Sequence, residues 1–318
     1  MSAASLSELA AARAPALAFY SPYRFLRHIS AERQQELFGT GLARRWADTA
    51  GAEIHTVGLA DGDVHWLLQS LAWDTAYFGT PVVQVRTGLF RPQTAPADLR
   101  DAAQQLRQHL AARHDRFYAF SMVPAEDVQL LQALTAAGWR LIETRLTYYR
   151  DQLAEFECPR YPVRPAALGE AALISQVAAT ARNPYDRFHA DPWFGPGRAD
   201  AYLAQYAINA VTTPLAALVL VPDEPGLPVD SFLAISDLSA DVAALGTPLS
   251  RVLLTAVGPA NRGWHLKLVA ETVQRAKALG HEAVLMTTQV TNPAVFRTAE
   301  KLGFRLGSTT HVLACNCG

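Results

Sequence analysis

Apolar positions along this chain switch repeatedly between two periods. Residues 64–71, 82–85, 117–121 and 140–149 are unbroken or alternating runs that read as strands, and between them Pro96–Arg113 and residues 127–137 carry helical spacing. In the second half, residues 216–221 and 231–235 read as a hairpin around the Pro- and Gly-rich loop 222–228, and residues 251–257 as a further strand. Residues 264–279 then form a helix whose Leu266, Val269, Ala270, Val273, Ala276 and Leu279 make one apolar stripe, stopped by Gly280. A strand at 283–288 leads to a short helix with Asn292 as its cap, Pro293 at its first position and Gly303 beyond its end. Residues 1 to about 50 read as helical, opened by a capping box at Ser5 and Glu8, with Leu37, Leu42 and Trp46 as candidates for a buried face. This alternation predicts a mixed α/β protein.

One passage occurs twice. Leu130-Leu-Gln-Ala-Leu-Thr-Ala-Ala-Gly138-Trp-Arg-Leu aligns with Val295-Phe-Arg-Thr-Ala-Glu-Lys-Leu-Gly303-Phe-Arg-Leu, each preceded and followed by an apolar strand. The spacing predicts two copies of one unit, 1–155 and 160–318, with the boundary where Cys158-Pro-Arg-Tyr-Pro162 interrupts both periods. The first copy has no counterpart to the loop at 257–267 and reads as partial and non-catalytic.

Half of the 318 residues are hydrophobic, 18% are charged and the formal net charge is -1, so a nucleic-acid or anionic-membrane binder is not expected. No apolar run approaches a membrane span and no basic segment precedes an apolar block, which gives a cytoplasmic protein as the expectation. Cys158, Cys315 and Cys317 make no disulfide framework and no complete metal-ligand set. Small molecules are the expected partners, and the oligomeric state stays open, a homodimer included.

The strand ending at Val257 runs into the helix at Trp264 through Asn261-Arg262-Gly263. That turn sets consecutive N–H groups at the positive end of a helix dipole, a hollow suited to a pyrophosphate. Neither G-x-x-x-x-G-K-[ST] nor G-x-G-x-x-G follows a strand. The stretch resembles the acyl-CoA loop of the GNAT acyltransferase superfamily, Gln/Arg-x-x-Gly-x-Gly/Ala, with Arg262 in first place and His265 and Lys267 where small residues are expected. Two further stretches are similar to the sugar-nucleotide N-acetyltransferases of that superfamily, the group of the dTDP-fucosamine acetyltransferases. They are Leu71-Ala-Trp73-Asp74-Thr-Ala-Tyr-Phe78-Gly79-Thr-Pro81 and Arg182-Asn-Pro-Tyr-Asp-Arg-Phe-His-Ala-Asp-Pro-Trp-Phe194.

The resemblance implies a GNAT fold with a complete unit on the C-terminal side, acetyl-CoA as cofactor, and transfer of an acetyl group to the amine of a nucleotide-linked amino sugar. It implies a phosphate grip by the turn Arg262, Gly263, Trp264, His265, Leu266 and Lys267. The pantetheine arm would lie along Leu254, Thr255, Ala256 and Val257 and touch Asn292 and Phe296. A main-chain N–H near Val257 would polarise the thioester, since Pro259 has none to give. Tyr185, Arg187 and Trp193 would hold the acceptor, with Asp186 or His189 taking the amine proton. The bland alternative for that loop is that Trp193 and Phe194 staple it to the core while Asp186 and Arg187 pair at the surface. The superfamily's thiolate-protonating Tyr, seven residues after the Asn, is replaced by Ala299. Rival readings are a GNAT acting on another amine, such as a peptide N-terminus, a polyamine or an antibiotic, and an inactive acyl-CoA-binding module.

Overall fold

The computed structural model describes residues 3–60 and 62–317. The chain folds as two compact units, one running to Arg145 and resuming at Ser308, the other spanning Leu146–Gly307. The sequence placed a boundary at the Pro-rich stretch 154–164 and kept the C-terminus with the second copy. In the structure that stretch runs over the second unit, where Arg160 pairs with Glu271 and Gln274 donates to the carbonyl of Cys158 at 3.0 Å.

In the first unit β1 (Ala52–Val57), β2 (Val64–Ser70) and β3 (Val82–Leu89) are antiparallel neighbours. β4 (Phe117–Pro124) lies parallel to β3. Beyond β5 (Arg140–Arg150) and the whole second unit, the chain returns as β11 (Arg305–Cys317), whose residues 310–317 pair antiparallel with β4. The helix Pro96–Arg113 crosses between the parallel strands and buries Leu99, Leu106 and Leu110 against Trp66, Phe117 and Trp139. Each such side chain, taken fully out of water, contributes roughly 1.5–3 kcal/mol.

The second unit orders its strands β10 (Ala283–Gln289), β9 (Leu249–Val257), β8 (Ser231–Ser236), β7 (Leu218–Pro222), β6 (Val163–Pro165). Alternation along β8 shows why this sheet is covered on both faces. Leu233 and Ile235 face the helices Trp264–Ala278 and Pro293–Lys301, while Phe232 and Ala234 face the helices Ala171–Thr180 and Pro196–Thr212.

The repeated sequence folds the same way twice. Asp127 caps Val128–Ala136 by accepting from the amide of Leu130, and Asn292 caps Pro293–Lys301 by accepting from that of Val295. Gly138 and Gly303 take φ +85° and +68° past the helix ends, a left-handed turn that glycine adopts without a Cβ penalty. Likeness extends to the strands. β3 pairs with β4 only from Val82 to Val85, and β9 with β10 only from Leu249 to Val252; each register breaks there by one extra residue, Arg86 or Leu253.

The N-terminal region is helical in pieces, with Ala3–Ala12, Ala14–Leu17, Ala31–Phe38 and Thr40–Arg44 separated by the irregular stretch 21–30. The first helix runs Ala3–Ala12, so position 5 falls within it and not ahead of it. Trp46 is buried, whereas Leu37 and Leu42 are half-buried. No described helix is long and apolar enough to cross a membrane, and among the described residues no group of His, Cys, Asp and Glu is arranged to hold a metal.

Candidate functional site

Past Val252, β9 keeps pairing with β8 as far as Val257 but no longer with β10, so the two parallel strands part into a wedge. One edge of Leu253, Leu254, Thr255 and Ala256 is thereby left without a strand partner, beside Thr287 and Thr288 of β10. An extended segment of ligand satisfies such an edge by main-chain hydrogen bonding.

The wedge leads to the turn at 258–263, which side chains hold from behind. Asp230 accepts from the Ala260 amide at 2.8 Å, and the Gly258 amide donates to the Asp230 carbonyl at 2.6 Å. A Cβ on Gly258 would meet the Asp230 carboxylate at 2.0 Å, so a side chain there would push that carboxylate from its place beside the Ala260 amide. Asn261 is buried and donates to Ser231 Oγ at 2.9 Å and to the Pro228 carbonyl at 3.1 Å. Gly263, at φ +91°, is the N-cap of Trp264–Ala278, and no side chain caps that helix. The turn is rigid while the helix's positive end stays open.

A cavity of about 570 Å³ sits at that end, lined by Val257, Gly258, Pro259, Arg262, Gly263, His265 and Leu266 and, across from them, Ala294, Arg297, Thr298 and Lys301. Arg297 and Lys301 stand one turn apart on their helix, so with Arg262 three cations border an opening that already carries a positive dipole end. The expected residues divide here. Val257, Arg262, Gly263, His265 and Leu266 line the cavity. The Trp264 side chain does not, being buried in the core with Leu268 and Phe304; Lys267 turns away, its Nζ 4.2 Å from the Trp264 ring and 3.0 Å from Glu224. Asn292 spends its side-chain oxygen on the cap, and the Phe296 ring lies 6.1 Å from that of Tyr148. Sequence reasoning missed Arg297 and Lys301, because ordinary polar residues on an amphipathic helix carry no motif.

His265 stands where the acyl-CoA loop pattern has glycine. Its Nδ1 is 2.9 Å from Thr298 Oγ1, and its buried Nε2 meets no partner. Burial lowers its pKa to about 4, so the ring is neutral near pH 7. Ala299 is fully buried in the core with Trp264 and Leu302.

The loop expected to hold the acceptor reaches the wedge where Asn183 Nδ2 donates to Gln289 Oε1 at the end of β10, at 2.7 Å. Beyond it the expected roles are corrected. Asp186 caps Arg187–Ala190, one carboxylate oxygen accepting from the amides of Phe188 and His189 and the other meeting His189 Nδ1 at 2.8 Å. His189 Nε2 lies 2.9 Å from Asp200, itself paired with Arg182, so neither ring nitrogen is available to an incoming amine. Arg187 is buried and not at the surface, with its guanidinium over the Phe188 ring at 4.5 Å. Trp193 packs edge-on against buried Phe194, which packs edge-on against Phe188, the stapling arrangement. Tyr185 alone of this set is exposed.

No known family profile matches the sequence, and no curated protein matches it. Solved structures do. A GCN5-related N-acetyltransferase from Sphaerobacter thermophilus is similar over 97% of this chain and 93% of its own, at TM-score 0.55 and 16% identity. A protein of unknown function from Staphylococcus epidermidis is similar over 85% of this chain and 96% of its own, at TM-score 0.51 and 12% identity. A GCN5-related glucosamine N-acetyltransferase region in a fungal multi-domain GH3 β-N-acetylglucosaminidase covers 95% of this chain, which spans 37% of that protein, at TM-score 0.53 and 13% identity. The chain has the mixed α/β fold of the GCN5-related N-acetyltransferases, the fold that the resemblance of the 262–267 loop implied.

Proposed function

We propose that the chain is an acyl-CoA-dependent N-acyltransferase whose carrier site is the wedge and cavity of the second unit. The observation that carries this reading is the parting of β9 from β10 at the Leu253 bulge, with the opening running into a cation-bordered cavity at an uncapped helix end. The residues present fit such a carrier. An unpaired strand edge suits the amide-bearing pantetheine arm, and the Gly263 turn with Arg262, Arg297 and Lys301 suits its phosphates.

Bound there, the carrier supplies an activated acyl thioester. Main-chain N–H groups along the parted part of β9, from Leu253 to Val257, polarise its carbonyl in a site where fixed donors act without reorganising. Water at the open mouth takes the amine proton, because Asp186 and His189 are committed to the loop, for which we keep a positioning role. With alanine at 299, this chain would offer no tyrosine proton to a departing thiolate. A thiol pKa of about 8.5 makes this tolerable, at a cost of roughly 10²- to 10⁴-fold against an enzyme that has the acid.

For the acceptor we propose an amino sugar carried on a nucleotide, on the strength of the two motif-like stretches. Tyr185, the exposed member of the set, is the candidate for stacking on it, whereas Arg187 is buried. The buried Ala299 favours a second reading, a carrier-binding module without transfer.

Mixing the protein with acetyl-CoA and, separately, nucleotide-linked amino sugars, peptides and polyamines, and measuring free thiol, tests these together. Thiol release with amino sugars is the expected result, and release only with other amines redirects the substrate. Binding without release supports the module. Failure to bind acetyl-CoA at millimolar concentration removes the proposal.

A further inference from the structure

His265 is tied on one side and bare on the other. We assign the single hydroxyl proton of Thr298 to the Ala294 carbonyl 3.2 Å away, which leaves the oxygen of Thr298 to accept from His265 Nδ1 at 2.9 Å. A neutral imidazole with its proton on Nδ1 has only a lone pair at Nε2, and that atom is buried, lacks a partner and belongs to a residue lining the cavity. An acceptor buried without a donor is costly, and a donor supplied by a ligand removes the cost. Phosphate oxygens cannot supply one, because they too are acceptors. Arg262, Arg297 and Lys301 border the same space and oppose a fourth positive charge there.

We propose that His265 Nε2 accepts a hydrogen bond from a hydroxyl or amide N–H of the bound carrier, which makes this histidine a selectivity-determining residue that reads the carrier's neutral part. The proposal rests on the acyl-CoA reading of the cavity. It also accounts for a histidine at a position where a loop that only cradled phosphates would place glycine.

The test combines calorimetry with CoA and the ¹⁵N resonances of the His265 ring. On adding CoA to the wild-type chain, the bare-acceptor signal of Nε2 is expected to move toward the hydrogen-bonded range while Nδ1 stays protonated. Phosphopantetheine and adenosine 3′,5′-bisphosphate, added separately, show which half of the carrier holds the donor. His265→Leu is expected to weaken CoA binding a few-fold to about tenfold, the worth of one neutral hydrogen bond, and His265→Gln, which keeps an acceptor, to retain most of the affinity. Near-ultraviolet circular dichroism verifies that both variants are folded. If the wild type binds CoA but the Nε2 signal does not move, or folded His265→Leu binds equally well, this inference falls and the carrier site stands. It falls also if wild-type binding takes up a proton that His265→Gln does not. If the wild type binds no CoA at all, the acyl-CoA reading itself has failed.

Discussion

At the scale of single residues, burial sets the behaviour of His265. Folding lowers its pKa from the ordinary 6.5 to about 4, so as acid is added the unfolded chain takes up this proton first. The stability that comes from keeping the ring neutral is complete above about pH 6.5 and is lost as the pH falls toward 4; a shift of this size corresponds to about 3 kcal/mol. Chemical denaturation across that range is expected to show a shallower acid loss for His265→Gln than for the wild type, and parallel curves would refute it. Ala299 leads to a second expectation. It has no exposed surface, so Ala299→Tyr overpacks the core and costs about 1–3 kcal/mol, with no faster thiol release. A stable, faster variant in a melt and a thiol assay would show that position 299 reaches the thioester after all. Sequence could reveal the missing tyrosine but not that its replacement is sealed in, since burial of one alanine depends on how Trp264 and Leu302 pack around it.

At the scale of elements, the short helix Pro293–Lys301 has two working faces. Val295 and Ala299 seat it on the sheet, and Arg297 and Lys301 border the cavity opposite Arg262. Reversing both charges, Arg297→Glu with Lys301→Glu, is expected to weaken CoA binding by more than tenfold at low salt and to flatten its salt dependence, because exposed charges act through a screened field. Titrations at two ionic strengths measure this, and unchanged affinity would place the phosphates elsewhere. Helix, cap and turn here were legible because Asn292, Pro293, Gly303 and the apolar stripe are local signals. The acceptor loop was not. Asp186, Arg187 and His189 look like chemistry in sequence, but their roles follow from Asp200, Phe188 and Phe194, which close around them in three dimensions.

At the scale of the whole molecule, the two units answer the same cleft differently. Where β3 leaves β4 in the first unit, Tyr20 from the N-terminal segment hydrogen-bonds Asp127 at 2.8 Å and accepts from Thr87 Oγ1 at 3.2 Å, beside the bulge residue Arg86. Arg13 pairs with Asp127 and lies over the Phe90 ring at 3.9 Å, both ion-pair partners buried. Burial and the Asp127 charge hold the Tyr20 hydroxyl well above its ordinary pKa, so it stays protonated as a donor. The chain's own side chains therefore occupy this first cleft, and one CoA per chain is the expected stoichiometry in calorimetry, with two equivalents contradicting it. Arg13→Ala is expected to destabilise the protein by about 3–5 kcal/mol, since it leaves a buried carboxylate uncompensated, while sparing CoA affinity in the second unit. The internal repeat announced two related units, but their exchange of a strand was hidden, because Arg305–Cys317 reads locally like any apolar run and only its pairing with β4 assigns most of it to the first unit.

That exchange carries a consequence for biogenesis. On the ribosome, the half that emerges first cannot complete its sheet until the half made after it has been synthesised, leaving the β4 edge exposed until residues 310–317 emerge. A nascent chain stalled before Ser308 should thus display a partly structured, protease-sensitive and aggregation-prone leading half. Emergence of residues 310–317 would act as a clasp that closes the leading half.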